Sequence, residues 1–493
     1  MATRAPEKNQ IHQSPRSPLP LRPSLRSSHG PAAFEKSLAE RSSAAQASGD
    51  EARSLYRSLY DQFNQSTDSL CRLQSRRFLQ KQLQAADSLQ ADIPNDPDQL
   101  EAWIADSAAE VGRQYRDYLA RRRAGAPREF FANESHALHF INAAAPTKLV
   151  DGAWLYGLLA HWNNPHMAPL IEIYLEELGT GVAAKNHVLL YKKLLADHGG
   201  ENWGVLRDEH FVQGAIQLAL GSHADEFFPE VLGFNLGYEQ LPLHLLITSY
   251  ELEELGIDPY YFTLHVTIDN VHSGHAQKAL RGLRNFLPRL DRGGDFYRRV
   301  VRGYKLNSLG AGTTSIIANF DLQHELVTML AHKSVAGKNM HSDRCRIGGR
   351  TVNEWLSEPR LVADFLDALV AGGWIKRGED ATGSRFWRLL VDEKSAMFGV
   401  FSRAEQRLLH DWIVGDATAN SARRPWLQRE TANTAETDVD LNGDRRCLRE
   451  ELAGLGSHEA RMQRMLPLLS PANHHTPVGL MATQLFSLHF GCH

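Results

Sequence analysis

The sequence predicts a mainly α protein: a helical bundle followed by an α(+β), winged-helix-like region. Three observations carry this. Apolar residues recur at three- and four-residue spacing, as in Leu55, Leu59 and Phe63 or Ile104, Ala108, Val111 and Tyr115, which is the period of a helix with one buried face. Short turn-forming clusters separate runs of helical length: Ala145-Pro146, Asn163-Asn164-Pro165, Gly179-Thr180-Gly181 and Gly256-Ile257-Asp258-Pro259. Helices joined by short turns argue for a bundle. Strand-like stretches enter only in the C-terminal third.

Taken in order, the 493 residues divide into two or three domains on length alone. Residues 1–48 read as a disordered tail. The first 33 residues hold four Arg, one Lys and a single acid, Glu7, a balance like that of a targeting peptide. Their repeated prolines would break an amphipathic helix. Residues 49–130 read as an N-terminal helical extension rich in Ala, Leu, Gln and Arg. Residues 131–292 form the helical run that carries the chemistry. Residues 293–415 read as a helical, winged-helix-like domain. There the helix ending near Val370 is followed by Gly372-Gly373-Trp374-Ile375, a polar turn and Arg385-Phe386-Trp387-Arg388-Leu389-Leu390, read as two short strands. Residues 416–493 read as loop-rich.

Composition excludes several classes. A net charge of -4 gives no overall field for nucleic acid or an anionic membrane. The helix that would read DNA carries Asp364 and Asp367 where a basic face is needed. The four cysteines, Cys71, Cys345, Cys447 and Cys492, form no CxxC pair, so neither a thiolate metal site nor a disulfide framework is indicated. No apolar run reaches the roughly 20 residues a bilayer needs. A cytoplasmic protein is expected.

The strongest chemical signal is His265-Val-Thr-Ile-Asp269-Asn-Val-His272-Ser-Gly-His275. At about 100° per residue, His265, Asp269 and His272 fall within about 60° of one another on a continuous helix. Two imidazoles and a carboxylate so placed suit iron, manganese or zinc. His275 lies further round and reads as a neighbour, a substrate contact, or a ligand if the helix distorts at Gly274. A second group is Glu172, Glu176 and Glu177, then Gly179-Thr180-Gly181, then Asn186-His187. Inward-facing carboxylates and histidines on bundle helices are the usual material of di-iron sites. Asp151, among apolar residues at a helix start, is either an N-cap or a ligand. Glu230 and Glu239 are further carboxylates in a segment of small residues. Trp154, Tyr260, Tyr261 and His275 are candidates for a pocket lining, with His275 and Tyr261 the candidate catalytic residues.

The run from about Pro146 to Leu287 resembles the heme-oxygenase-like di-iron oxidases, or iron-containing redox enzymes. The resemblance rests on Val150-Asp-Gly-Ala-Trp-Leu155, Glu177 with Gly179 and Gly181, Asn186-His187 with Tyr191, Pro229-Glu-Val-Leu-Gly233, and His265-x3-Asp269-x2-His272. It covers under a third of the chain. It implies a heme-oxygenase-like bundle without heme, holding two Fe(II) ions per chain, the second of which is often weakly held, with O2 as co-substrate. Glu177, His187, His265, Asp269 and His272 are the implied ligands. The first core helix of the family usually supplies a glutamate, and Asp151 stands in its place, with Glu239 as a substitute. The implied activity is N-oxygenation, hydroxylation, desaturation or oxidative C–C cleavage of a small biosynthetic intermediate, amino-acid-like, free or bound to a carrier protein. A homodimer is compatible with this reading. The competing expectations are a heme-binding relative and a non-enzymatic helical partner-binding or regulatory protein.

Overall fold

The computed structural model describes residues 55–65, 68–200, 206–268, 274–290, 294–415 and 438–491. The tail expected over residues 1–48 lies outside the described residues. Those that are described are mainly helical. Nine helices build the centre: α1 (Glu134–Lys148), α2 (Ala168–Glu177), α3 (His187–His198), α4 (Val212–Ser222), α5 (Phe228–Tyr238), α6 (Leu243–Glu254), α7 (Tyr260–Ile268), α8 (His275–Arg284) and α9 (Asp295–Lys305). Helix α1 begins where the Asn133 side chain accepts the His136 amide, and α3 where Asn186 accepts that of Leu189, each satisfying a donor the helix itself leaves open. Ala145-Pro146 does not break α1. Pro146 sits in its last turn.

Small residues set the packing. A Cβ on Gly233 of α5 would collide with the Val300 carbonyl of α9, and one on Gly303 of α9 with the backbone of Glu230. These two helices therefore lie backbone against backbone, and the bundle continues past residue 292. Gly282 of α8 gives room to Leu170 of α2 in the same way. The extension is part of this core. Tyr60, Phe63, Leu79, Leu100 and Ile104 are buried in one apolar cluster with Trp154, Tyr174, Phe211 and Phe234. Tyr118, in the helix Leu100–Arg123, donates to the buried Glu251 carboxylate at 2.9 Å.

Two C-terminal expectations are corrected. The run Arg385–Val391 is a helix, not the second strand of a wing. Phe386 and Leu390 are its buried residues, and four-residue spacing puts them on one helical face. Strands occur earlier among the described residues, as the two-residue antiparallel pair β1 (Arg346–Ile347) and β2 (Arg350–Thr351), ahead of the helix Val362–Ala371. Residues 322–414 bury their own apolar cluster around Trp355, Leu366 and Trp412. Beyond residue 437 the expected loops are helices: Asp438–Gly454, His458–Met465 and Pro477–Phe490. Met462, Met465, Leu469 and Phe486 belong to the bundle's main cluster, so apolar burial holds this segment in place. Part of the expected loop-rich segment, residues 416–437, lies outside the described residues. Among the described residues no helix is long and apolar enough to cross a membrane.

Candidate metal centre

The site lies where two apolar clusters meet. Val150 and Leu178 belong to one, Leu149 and Val188 to the other, and the polar residues between them are buried. Asp151 follows the end of α1 and precedes Gly152, whose φ of 79° is left-handed. A Cβ on Gly152 would stand 3.0 Å from the Cβ of Glu177. Glycine thus meets two demands here, the backbone conformation and the close approach of the Asp151 segment to the end of α2.

Glu177 is the last residue of α2. The turn after it runs through Gly179, Thr180 and Gly181, all at positive φ, and reverses the chain. Asn186 fastens the turn: its amide donates to the Leu178 carbonyl at 3.2 Å and to His474 Nδ1 at 3.0 Å, while its oxygen caps α3. This brings His187 back beside Glu177. His187 Nδ1 lies 2.5 Å from Glu177 Oε2 and 3.8 Å from Asp151 Oδ2. From α7, His265 Nδ1 donates to the Tyr261 carbonyl one turn back at 2.8 Å. A carbonyl only accepts, so the proton is on Nδ1 and Nε2 faces Asp151 Oδ2 at 3.4 Å. Tyr261 itself donates its hydroxyl to Asp151 Oδ2 at 2.7 Å.

Asp151, Glu177, His187 and His265 thus converge, with one ligand-type atom from each within 4.8 Å of the others, and all four are buried. A second group shares Glu177 and adds Glu239 and His275. His275 Nδ1 lies 2.9 Å from Glu239 Oε2 and 3.3 Å from Glu177 Oε1. Its Nε2 meets Glu176 Oε2 at 2.8 Å, and Lys278 pairs with the same Glu176.

The electrostatics follow from crowding charge in a dry site. Burial pushes the Asp151 pKa up, but Lys148, His187 and His265 overcome it and hold the carboxyl well below its usual range. Burial is likewise overcome at Glu177, chiefly by His187, and the carboxyl stays ionised. His187 is pushed the opposite way, to about 10, by Glu177 and Asp151 against the effect of burial. At Glu239 burial prevails over His275, assisted by the charges of Glu177 and Asp151, and the carboxyl rises to about 7.

Asp151 Oδ1, Glu177 Oε2, His187 Nδ1, Glu239 Oε1 and His265 Nε2 are buried and make no hydrogen bond. The 2.5 Å approach of His187 to Glu177 is a contact without hydrogen-bond geometry. So many orphaned polar atoms at one point would be costly in an ordinary core. Carboxylate oxygens with imidazole nitrogens are the donor set that divalent iron takes, and the outward nitrogen of His265 is anchored as ligating histidines usually are.

Asp269 and His272 lie outside the described residues. Several other expected residues lie away from the two groups. Glu230 is paired with Arg299 at 2.6 and 2.7 Å, away from both groups. Glu172 faces Lys278. Trp154 is core, donating to Asn235 at 2.8 Å, and Tyr260 is exposed. Asp151 gives no cap to the following turn, where Gly152 holds the cap position without a side-chain bond.

A cavity of about 440 Å³ reaches the site and is lined by Glu177, Glu239 and His265. Its outer walls include Ile104, Ala108 and Val111 from the extension, Ile316 beyond α9, and Lys148, whose ammonium donates to Tyr238 at 3.1 Å. Neither the extension's part in this wall nor His474 was signalled by any local motif.

The helical bundle brings buried carboxylates and histidines together in two groups that could hold metal ions. Residues 138–306 match the model of a family described as iron-containing redox enzyme, the family that the motifs resemble. Family and site together point to an oxidoreductase. Neither the curated proteins nor the solved structures give a match to the chain.

Proposed function

We propose that this chain is an O2-activating non-heme di-iron oxidase or oxygenase acting on a small, amino-acid-like biosynthetic intermediate. The observation that carries this reading is the convergence of Asp151, Glu177, His187 and His265, each with a buried polar atom that lacks a hydrogen-bond partner. These four would hold the first Fe(II). Bound there, iron would supply the electrons that activate O2 for N-oxygenation, hydroxylation, desaturation or oxidative C–C cleavage.

The chain's own residues provide the rest. Tyr261 steadies the Asp151 carboxylate through its hydroxyl. The cavity beside Glu177 and His265 receives the substrate, and its lining mixes apolar side chains such as Ile104, Val111 and Ile316 with polar ones such as Lys148, Gln213 and His244. Lys148 is the cation on that wall and meets a substrate carboxylate. Among the described residues it makes no ion pair, and its ammonium meets the hydroxyl of Tyr238 and the rings of Tyr238 and Tyr261. A free small molecule or one presented by a carrier protein fits this arrangement, in a cytoplasmic setting.

The test is anaerobic reconstitution of the full chain with Fe(II), with iron counted by elemental analysis and examined by Mössbauer spectroscopy, followed by O2 addition. Iron binding and iron-dependent O2 consumption are expected. Unchanged iron content in a His187→Ala/His265→Ala double variant would overturn the reading.

A further inference from the structure

We infer that the seam between the bundle and residues 322–414 holds a second binding site, for a small organic ammonium compound with an apolar body. The site is a cavity of about 170 Å³ bounded by α1, the end of α3 and the helices Leu322–Gly337 and Arg403–Val414. It shares no lining residue with the cavity that reaches the metal centre. Helix α1 separates the two. Ser135, Leu138, His139 and Asn142 line the seam, whereas Ala144, Thr147 and Lys148 line the other cavity. At about 100° per residue these two sets fall on opposite faces of the helix. Gly199, His332 and Ser402 are exposed at the seam cavity, so a ligand reaches it from solvent.

The lining selects the ligand. Leu138, Ile141, Leu195 and Met329 supply apolar walls, and a space of roughly 150 Å³ accepts a benzene-sized body. Charge decides the polar end. The lining holds Glu325 and Glu405 but neither lysine nor arginine. Glu405 is already committed, to Lys333 at 2.9 Å and to the Ser402 amide at 2.7 Å. Glu325 is held only loosely. Among the described residues its ion pair is with His139, whose Nδ1 stands 3.6 Å away, beyond hydrogen-bond distance. Burial raises the Glu325 carboxyl, but His139, with the charges of His324 and Arg207, outweighs it and holds the group below its ordinary value.

Asn142 adds a second acceptor. Its Oδ1 is buried and has no hydrogen-bond partner, a deficit that an entering donor removes. Burial pushes His198 down, so this ring brings no positive charge at neutral pH. An ionised carboxylate and an unsatisfied carbonyl oxygen together ask for N–H donors that carry positive charge. A metal ion is not the occupant that fits. Among the described residues the groups of converging ligand atoms are the two at the metal centre, and neither includes Glu325 or the histidines of the seam.

The experiment is calorimetric titration of the full chain with benzylamine, with benzyl alcohol as the uncharged probe and benzoate as the anionic one. Benzylamine should bind roughly 10-fold or more tighter than benzyl alcohol, the difference one charged hydrogen bond makes, and benzoate more weakly still. Glu325→Gln should erase the preference for the amine. Thr328→Trp, which fills the cavity from the helix Leu322–Gly337, should abolish binding of both. Amide hydrogen exchange should show protection by benzylamine over residues 138–142 and 325–332. Circular dichroism identifies a variant that fails to fold, and Asn142→Ala, expected to weaken the amine, then serves in its place. Equal affinity for the amine and the alcohol, no binding by wild type, or amine binding that survives in the folded variants overturns the assignment. Amine binding that survives with protection confined to the surroundings of Glu177 places the amine at the metal centre instead.

Discussion

Tyr261 donates its hydroxyl to Asp151 Oδ2 at 2.7 Å, while the carbonyl of the same residue accepts the Nδ1 proton of His265 at 2.8 Å. One residue thus orients two candidate ligands that lie more than a hundred positions apart. Tyr261→Phe removes the first of these bonds and keeps the second. Iron affinity should fall by roughly 10- to 100-fold with the fold retained. An anaerobic Fe(II) titration beside a thermal melt checks this, and unchanged affinity would contradict the role.

Gly152→Ala should be more damaging than its size suggests. The left-handed backbone alone costs roughly 1–2 kcal/mol for a residue with a Cβ, and the added methyl would press on Glu177 at 3.0–3.2 Å. A lowered Tm and weaker iron binding are expected together. A variant with wild-type Tm and wild-type iron would show that the two segments separate easily.

Lys148→Met should raise KM for a carboxylate-bearing substrate by 10-fold or more, taking a charged hydrogen bond at roughly 1.5–3 kcal/mol, with a smaller change in kcat. Lys148→Arg should recover part of the loss. Equal affinity of Lys148→Met for an acid and its amide, where wild type prefers the acid, is the diagnostic result. If wild type shows no preference, Lys148 is not the anchor.

His474→Ala tests the C-terminal helices. The variant removes the acceptor of a buried Asn186 N–H, and an orphaned donor costs roughly 1–3 kcal/mol. Because Asn186 caps the helix that begins with His187, a lowered Tm should be accompanied by weaker iron binding. Loss of stability with iron affinity intact would make the contact purely structural.

Acid should destabilise the metal-free protein below neutral pH. Burial pushes His136 and His210 down to about 4 and His474 to about 3, whereas an unfolded histidine titrates near 6.5. Between those values the unfolded chain binds protons that the folded chain refuses, so stability is complete above about pH 6.5 and falls as pH drops toward 4. Melting curves from pH 7.5 to 4.5 should show a falling Tm. A flat profile would mean these rings protonate without cost.

The helical class was legible because apolar spacing reports a buried face directly. Glu177 and His187 were legible as a pair because the glycine turn between them is itself a sequence signal. Counting 100° per residue from His265 assumes one unbroken helix, whereas Gly274 is extended and a new helix starts at His275, so that count does not place His275. The run Phe386-Trp387-Arg388-Leu389-Leu390 suits strand or helix equally at that length, and only the buried pair Phe386 and Leu390 decides it. His474 and the burial of Phe486 were not legible, because contacts across hundreds of residues leave no local period. On the proposed ligand set, the close approach that Gly152 allows would offset the reach of Asp151, shorter than a glutamate by one methylene.

The cavity wall has a consequence for how such a catalyst diversifies. Glu177 and His265 come from the family-matched segment, but Ile104, Ala108, Val111 and Ile316, which face the same space, lie outside residues 138–306. On the proposed function, the residues that would hold iron and the residues that would meet the substrate are separately encoded. Substitutions at Ala108 or Val111 would then alter which substrate is accepted while leaving the metal ligands untouched, so new selectivity is best sought by varying the extension.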